Sequence, residues 1–377
     1  MITRKILPGA VFPLACLVLW GCGTNGADSP PGARSEYVLG TFCRIDLFDE
    51  GKPEVYDRLF ARLAELDRIL SANREDSELA ALNRAAGKAA LGVTPELYAV
   101  LERALYFAEA TGGAFDPTVG PLVKLWDIGG RAGAADGGTG GGPQIPAARE
   151  IAAALALVNW REVELLPAGA QGSDNFRGTA FLGRPGMSLD LGAIAKGYAA
   201  DELVGILKEA GIRRGLIDLG GNIYIWGNKD DGRPWRVGIQ NPLGERGSYV
   251  GILETESMSV VTSGIYERYF TGADGKRYHH ILAAGGAGTA GDQENPAGPP
   301  GYPVENGILS VTVIAGSSMD ADALSTSCFI LGYERGRALA EANGAKAIFV
   351  LADKTVRGSG EALAAFTVTD EAYRKEP

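Results

Sequence analysis

Apolar residues Val55, Leu59, Leu63, Leu66 and Leu70 recur at steps of three and four, which predicts an amphipathic helix over residues 54–73. A second helix opens at Thr94-Pro95, with threonine as N-cap and proline in the first turn. It carries Leu97, Leu101, Leu105 and Ala108 on one face and stops at Thr111-Gly112-Gly113. Helical spacing returns near 147–157, 194–210, 319–331 and 334–343. Residues 37–48 are rich in β-formers and predict a strand pair or a bent strand. Further strands are expected near 162–166, 179–182, 249–253, 258–261, 278–282, 308–314, 347–351 and 364–368, with hairpin-like alternation in 215–226 and 235–240. Helices and strands come in runs without a steady β-α-β beat. The pattern therefore favours an α+β fold with mixed or antiparallel sheets over a doubly wound sheet.

Two tracts break the periodicity. Residues 129–142 are glycine-rich and low in complexity, and 283–300 are rich in Gly, Ala and Pro; both read as surface insertions. At the other extreme, Arg4 and Lys5 precede a run without charge over 6–20, too short to span a bilayer. Leu19-Trp20-Gly21-Cys22 then resembles a bacterial lipobox, with cleavage before a cysteine that carries lipid. This predicts a signal peptide at 1–21, a flexible tether at 22–35 and one domain over 36–377. The chain is thereby expected to be exported and lipid-anchored at Cys22 in the bacterial cell envelope, facing the periplasm.

Across 377 residues, 36 Lys+Arg stand against 46 Asp+Glu, a net charge of −10, and this argues against a nucleic-acid partner. An anionic ligand must be met locally, by a helix N-terminus, a lone lysine or a metal. Of four cysteines, Cys43 and Cys328 would remain in the mature domain, either paired or as buried thiols. The two histidines are adjacent, His279 and His280, which excludes a zinc site built on several histidines. On a strand they point to opposite faces, so one alone can enter a given site as a proton acceptor.

Asp322 and Thr326 lie four apart, so on a helix they present a carboxylate and a hydroxyl on one face. Such hard oxygen donors suit Mg²⁺; the alternative is a helix-capping acid and a threonine bonded to its own backbone. Asp190-Leu191-Gly192-Ala193-Ile194-Ala195-Lys196 puts an acid, small turn residues and a lysine at a helix start, where amides and a cation could receive a diphosphate. Ala114-Phe115-Asp116-Pro117 offers a ring beside a carboxylate in a pinned loop, or else a buried aromatic with a turn aspartate.

Taken in order, these segments resemble the ApbE-type family of FAD:protein FMN transferases. The resemblance rests on Leu39-Gly40-Thr41, Asp76-Ser77-Glu78-Leu79, Leu82-Asn83, residues 114–122 with Trp126, 190–201, Ile217-Asp218-Leu219-Gly220-Gly221-Asn222, Val261-Thr262-Ser263-Gly264, Gly301-Tyr302-Pro303 and 322–331. It implies Mg²⁺-dependent transfer of FMN from FAD to a Thr or Ser hydroxyl of an acceptor protein, with AMP leaving. Acceptors would be membrane electron-transfer subunits. By the same resemblance, Asp322, Thr326 and the Ala193 carbonyl hold the metal, and His280 is the base. Leu39, Asn73, Ala114, Phe115, Asp116, Asp190, Lys196 and Leu282 match FAD-contacting positions. Two departures stand out. Ala283-Ala284 replaces an Asp-Pro turn that leads to Thr-Gly in family members, and Asn73 stands where some members have an aromatic ring. An FAD pyrophosphatase and a non-catalytic flavin-carrier lipoprotein are the rival readings.

Overall fold

A computed structural model describes residues 33–48, 52–135, 143–168, 176–285 and 297–376. The proposed signal peptide and lipidated cysteine lie outside the described residues. The first two strands, β1 (Arg34–Val38) and β2 (Thr41–Leu47), form a hairpin that starts at the end of the expected tether. Its turn, Leu39-Gly40, has φ of 54° and 69°, the left-handed pair that a two-residue hairpin needs. Helix α1 (Pro53–Leu70) buries the five apolar residues of its stripe and ends where Ser71 turns extended. There follow α2 (Glu78–Arg84), β3 (Leu91–Val93) and α3 (Pro95–Ala110), the last capped by Thr94. A satellite region holds α4 (Gly120–Trp126), α5 (Ile128–Ala135), α6 (Ala148–Leu155), β4 (Val163–Pro167) and β5 (Gly178–Leu182).

After α7 (Ala195–Glu209), the chain enters β6 (Gly215–Leu219), β7 (Asn222–Trp226), β8 (Trp235–Gln240), β9 (Tyr249–Thr255) and β10 (Ser259–Gly264). The short β11 (Tyr269–Thr271) and β12 (Arg277–His279) pair with each other before β13 (Ile308–Ala315). Helices α8 (Ser318–Leu331) and α9 (Tyr333–Ala342), strands β14 (Lys346–Leu351) and β15 (Thr355–Gly358), α10 (Gly360–Ala364), β16 (Phe366–Val368) and β17 (Arg374–Lys375) complete the described chain.

The main sheet runs β1-β2-β6-β7-β10-β13-β14-β15-β17, antiparallel except for the short β15–β17 pair. Alternation along its strands feeds two cores. Val261, Val311, Val313, Ala347 and Phe349 meet the helices α1, α3, α7 and α8. Val260, Ile314, Ile348 and Val350 face the three-stranded sheet β16-β9-β8. All eight residues of β13 are buried because both faces of this central strand are covered. The α+β expectation holds.

Several local expectations need correction. The first part of the 129–142 tract is helical, in α5, where Arg131 Nε donates to the Trp126 carbonyl at 2.8 Å and ties the helix to α4. Residues 136–142 lie outside the described residues. The second insertion is not a surface feature at its roots, since Ala283, Ala284 and Ala297 are buried. Ala283 N–H donates to Tyr302 O and Gly301 N–H to Ala283 O, so the chain leaves and returns at one point. The strand expected over 278–282 stops at His279; beyond it only Leu282 bridges to Pro303. The start of the strand expected over 364–368 is the end of α10. The seven-residue helix α2 and the strands β3, β11 and β15, of three or four residues, are absent from the sequence pattern because such short elements show little period.

Candidate active site

The site is organised by the contact of α7 with α8. Gly197, in the first turn of α7, lies against the backbone of Ser318, where a methyl group would overlap the Ser318 carbonyl. Asp201, one turn later, caps α8: its carboxylate accepts from Ser318 N–H at 2.8 Å, Met319 N–H at 2.9 Å and Ser317 Oγ at 3.1 Å. Burial pushes this carboxyl up, and the three donors oppose that shift. One helix thereby fixes the register of the other.

That register brings Asp322 to the start of α7. Its side chain is 4% exposed, and Oδ2 accepts from Gly197 N–H at 3.0 Å. Lys196 Nζ stands 3.4 Å from both carboxylate oxygens and donates to Gly192 O at 2.9 Å. Gly197 is the third residue of α7, so its amide has no acceptor within the helix. As a helix-start donor it is satisfied instead by Asp322 across the α7–α8 contact, and the Ala193 carbonyl lies just before the N-cap of the helix. Thr326, one turn beyond Asp322, meets Ser263 Oγ at 3.1 Å, and Ser263 also meets Ser325 Oγ at 2.8 Å. A buried carboxylate and a hydroxyl one turn apart, with the Ala193 carbonyl just before α7, are hard oxygen donors of the kind Mg²⁺ takes.

Asp190 closes its own turn, with Oδ1 accepting from Gly192 N–H at 2.9 Å. Its amide donates to Pro117 O at 2.9 Å, which joins this turn to the 114–118 loop. Asn83 clamps the same stretch by exchanging two hydrogen bonds with the Leu189 backbone, at 2.7 and 3.0 Å. Asp116 is nearly buried and acts on the backbone: Oδ1 accepts from Thr118 N–H and Oγ, and Oδ2 from Trp160 N–H at 3.1 Å. Burial raises its pKa against these bonds. Ala114 and Phe115 are buried, and the Phe115 ring packs 6.2 Å from Phe107 in the main core, so the ring itself is not offered to a ligand.

The two histidines separate as alternation requires. His279 Nε2 bonds to Val304 O at 2.9 Å while Nδ1 accepts from Ile281 N–H at 3.3 Å, and burial holds the ring neutral, down to about 4. His280 lies on the other side, with Nδ1 3.3 Å from Arg268 O. Burial, then Arg268, push its pKa down to about 3, and Lys196 contributes in the same direction. His280 therefore sits within electrostatic reach of the lysine that faces Asp322. Leu39 occupies the hairpin turn, and the adjoining Thr41 lies directly against Gly220. Leu282 is buried beside Trp126 in the satellite core. Asn73 is exposed, and its amide donates to Ser71 Oγ at 3.3 Å; no hydrogen bond among the described residues ties it to the other candidates.

Asp201, Gly197 and Ser263 lie in segments that match the family but carry no individual role in the sequence reading. Gly197 and Asp201 are four apart on one helix face, a signal that was legible. Ser263 lies in a segment that matches the family, but its pairing with Thr326, 63 residues away, has no local signal. Cys43 and Cys328 are buried free thiols bonded to Val38 O and Gly336 O, which settles the alternative left open above.

A mostly antiparallel sheet flanked by helices thus carries Asp322 and Thr326 on α8 beside Lys196 at the start of α7, and comparison with solved structures places this arrangement in a class of flavin transferases. The ApbE family model matches residues 39–349, and the chain belongs to this family. It is 40% identical over 361 residues to an FAD:protein FMN transferase of Treponema pallidum (strain Nichols), covering 92% of each chain. A Klebsiella pneumoniae (strain 342) protein of the same name is 36% identical, with 92% of this chain and 98% of that one covered. Among solved structures, the ApbE protein of Thermotoga maritima superposes with a TM-score of 0.72 at 29% identity, covering 89% of this chain and 98% of that one. Flavin transferase ApbE from Vibrio cholerae gives 0.69 at 28% identity, covering 87% and 96%.

Proposed function

We propose that this chain transfers FMN from FAD to a Thr or Ser hydroxyl of an acceptor protein, in a Mg²⁺-dependent reaction. The named relatives support the transfer. The observation that carries the metal is the buried Asp322 carboxylate, oriented by the Gly197 amide and one helical turn from the Thr326 hydroxyl. Asp322, Thr326 and Ala193 would hold the ion, whose chemistry is to neutralise charge on the diphosphate. Lys196 adds a second positive charge at the same place. With Nδ1–H donating to Arg268 O, His280 keeps Nε2 as the acceptor for the hydroxyl proton. The hydroxyl oxygen then bonds to the FMN-side phosphorus as the bond to the AMP phosphate breaks.

We also place the enzyme in the cell envelope, exported and lipid-anchored at Cys22, facing the periplasm. The basic start, the uncharged run over 6–20 and the lipobox-like segment support this. Acceptors of matching location are membrane electron-transfer subunits. The test is to incubate the domain with FAD, Mg²⁺ and an acceptor domain and to read intact mass. A gain of one FMN on the acceptor with release of AMP is expected. Free FMN and AMP without modified acceptor would identify an FAD pyrophosphatase, and bound flavin without AMP release a carrier.

A further inference from the structure

Three hydroxyl groups meet beside Asp322, and the bond directions among them are fixed. Ser263 is the penultimate residue of β10 and shares a strand face with the core residue Val261, so it points toward the helices. Its Oγ lies 2.8 Å from Ser325 Oγ and 3.1 Å from Thr326 Oγ1, both on α8. Ser325 Oγ in turn lies 2.9 Å from the main-chain carbonyl of Asp322. Each hydroxyl has one hydrogen to donate and two lone pairs, whereas a carbonyl only accepts. Ser325 therefore donates to Asp322 O and meets Ser263 as the acceptor. Ser263, having donated to Ser325, meets Thr326 as the acceptor. The Thr326 hydrogen accordingly points at Ser263.

This direction decides what Thr326 can do. A helical threonine ordinarily donates to the carbonyl of the preceding turn, four residues back, which here is Asp322 O. That oxygen is taken by Ser325. Among the described residues, Ser263 is the hydrogen-bond partner of the Thr326 hydroxyl. With its hydrogen turned toward β10, Thr326 Oγ1 keeps its lone pairs clear of protein donors, one helical turn from the Asp322 carboxylate. A hydroxyl serves as a neutral ligand to a hard cation only through a lone pair, and a neighbouring acceptor that holds its hydrogen away fixes that orientation. Attachment of β10 to α8 does not need Ser263, because Ser259, on the same strand face, bonds to Ser318 Oγ at 2.8 Å. A structural tie between the two elements is thus already present.

We infer that Ser263 is a positioning residue for the proposed metal site: it accepts the Thr326 hydrogen and so presents the Thr326 lone pairs to the ion. The inference rests on the metal-dependent reading of the site and extends that site to β10. The test is titration with Mn²⁺, standing in for Mg²⁺, followed by electron paramagnetic resonance. The proteins compared are the wild type, Asp322→Ala, Ser263→Ala, Thr326→Val and the double variant of Ser263→Ala with Thr326→Val. Ser263→Ala should weaken Mn²⁺ binding about tenfold or more. It should have no further effect once Thr326→Val has removed the hydroxyl that Ser263 orients. Unaltered Mn²⁺ affinity in Ser263→Ala, or an equal loss with and without the Thr326 hydroxyl, would overturn the assignment. Asp322→Ala separates the two ideas. Binding that is weakened by Asp322→Ala but indifferent to Ser263→Ala sinks only the positioning role. Wild-type binding that is absent, or indifferent to Asp322→Ala, sinks the metal reading and the positioning role with it.

Discussion

The amide of Gly197 donates to Asp322 Oδ2 at 3.0 Å, across the contact between two helices whose linked residues are 125 positions apart in the chain. The bond exists because glycine lets α7 approach the Ser318 backbone. Gly197→Ala would overlap the Ser318 carbonyl and push the helices apart. Overpacking of this kind costs about 1–3 kcal/mol. A lower melting temperature is expected, together with about a tenfold fall in FMN transfer. Unchanged activity would show that the close approach does not shape the site.

Asp322→Ala removes the carboxylate of the oxygen set while leaving Lys196 bonded to Gly192 O. Mg²⁺-dependent transfer should fall by roughly a hundredfold or more. Circular dichroism and thermal melting should remain close to wild type. Activity that survives with its metal dependence intact would mean the ion is held elsewhere.

For His280, the prediction separates chemistry from binding. His280→Ala should lower the transfer rate by about a hundredfold while FAD affinity changes little. The wild-type pH profile should show no histidine limb near 6.5, since burial and the neighbouring Arg268 hold the folded group well below its ordinary value. Equal losses in rate and affinity would reduce His280 to a contact residue.

His279 predicts a pH effect on stability. Its folded pKa of about 4 lies below the ordinary 6.5, so between these values the unfolded chain binds the extra proton. Stability therefore rises with pH across that window and is lost as pH falls through it, by about 3 kcal/mol. The difference between wild type and His279→Gln isolates this group from buried acids such as Asp116 and Asp201, whose raised values act with the opposite sign. Thermal melts from pH 4 to 6.5 should show the stability gap between the two proteins narrowing toward the acid end. A gap that stays constant would contradict the assignment.

Trp126 holds the returning root of the insertion, with Nε1 donating to Gly301 O at 2.8 Å. Its ring lies 5.6 Å from Tyr278 and 5.8 Å from Tyr302. Trp126→Phe leaves that buried carbonyl without its donor, a cost of about 1–3 kcal/mol. Faster limited proteolysis between 283 and 301 is the expected readout; cleavage at the wild-type rate would show that the root is held by its backbone bonds alone.

Much of the scaffold was legible because local physics writes it into spacing. The stripe of α1, the Thr94-Pro95 start of α3 and the apolar run of β13 each reflect one face, one cap or one doubly covered strand. Elements of three or four residues, such as β3 and β11, left no period to read. Composition misled at 129–142, where glycine and alanine suggested a loop but Arg131 anchors a helix.

The chain by itself determined the α+β class, the positions of the long helices, the opposed faces of His279 and His280, and the one-turn spacing of Asp322 and Thr326. These follow from repeat distances of 3.6 and 2 residues, which operate within a single element. Only the tertiary structure decided that Gly197 rather than solvent faces Asp322, that Asp201 caps a helix 117 residues away, and that Ser263 meets Thr326. It also decided that the Phe115 ring faces the core while Asp116 turns toward Trp160. Such pairings depend on which distant backbone segments can approach closely, and that is settled when glycine contacts, caps and buried faces are satisfied together.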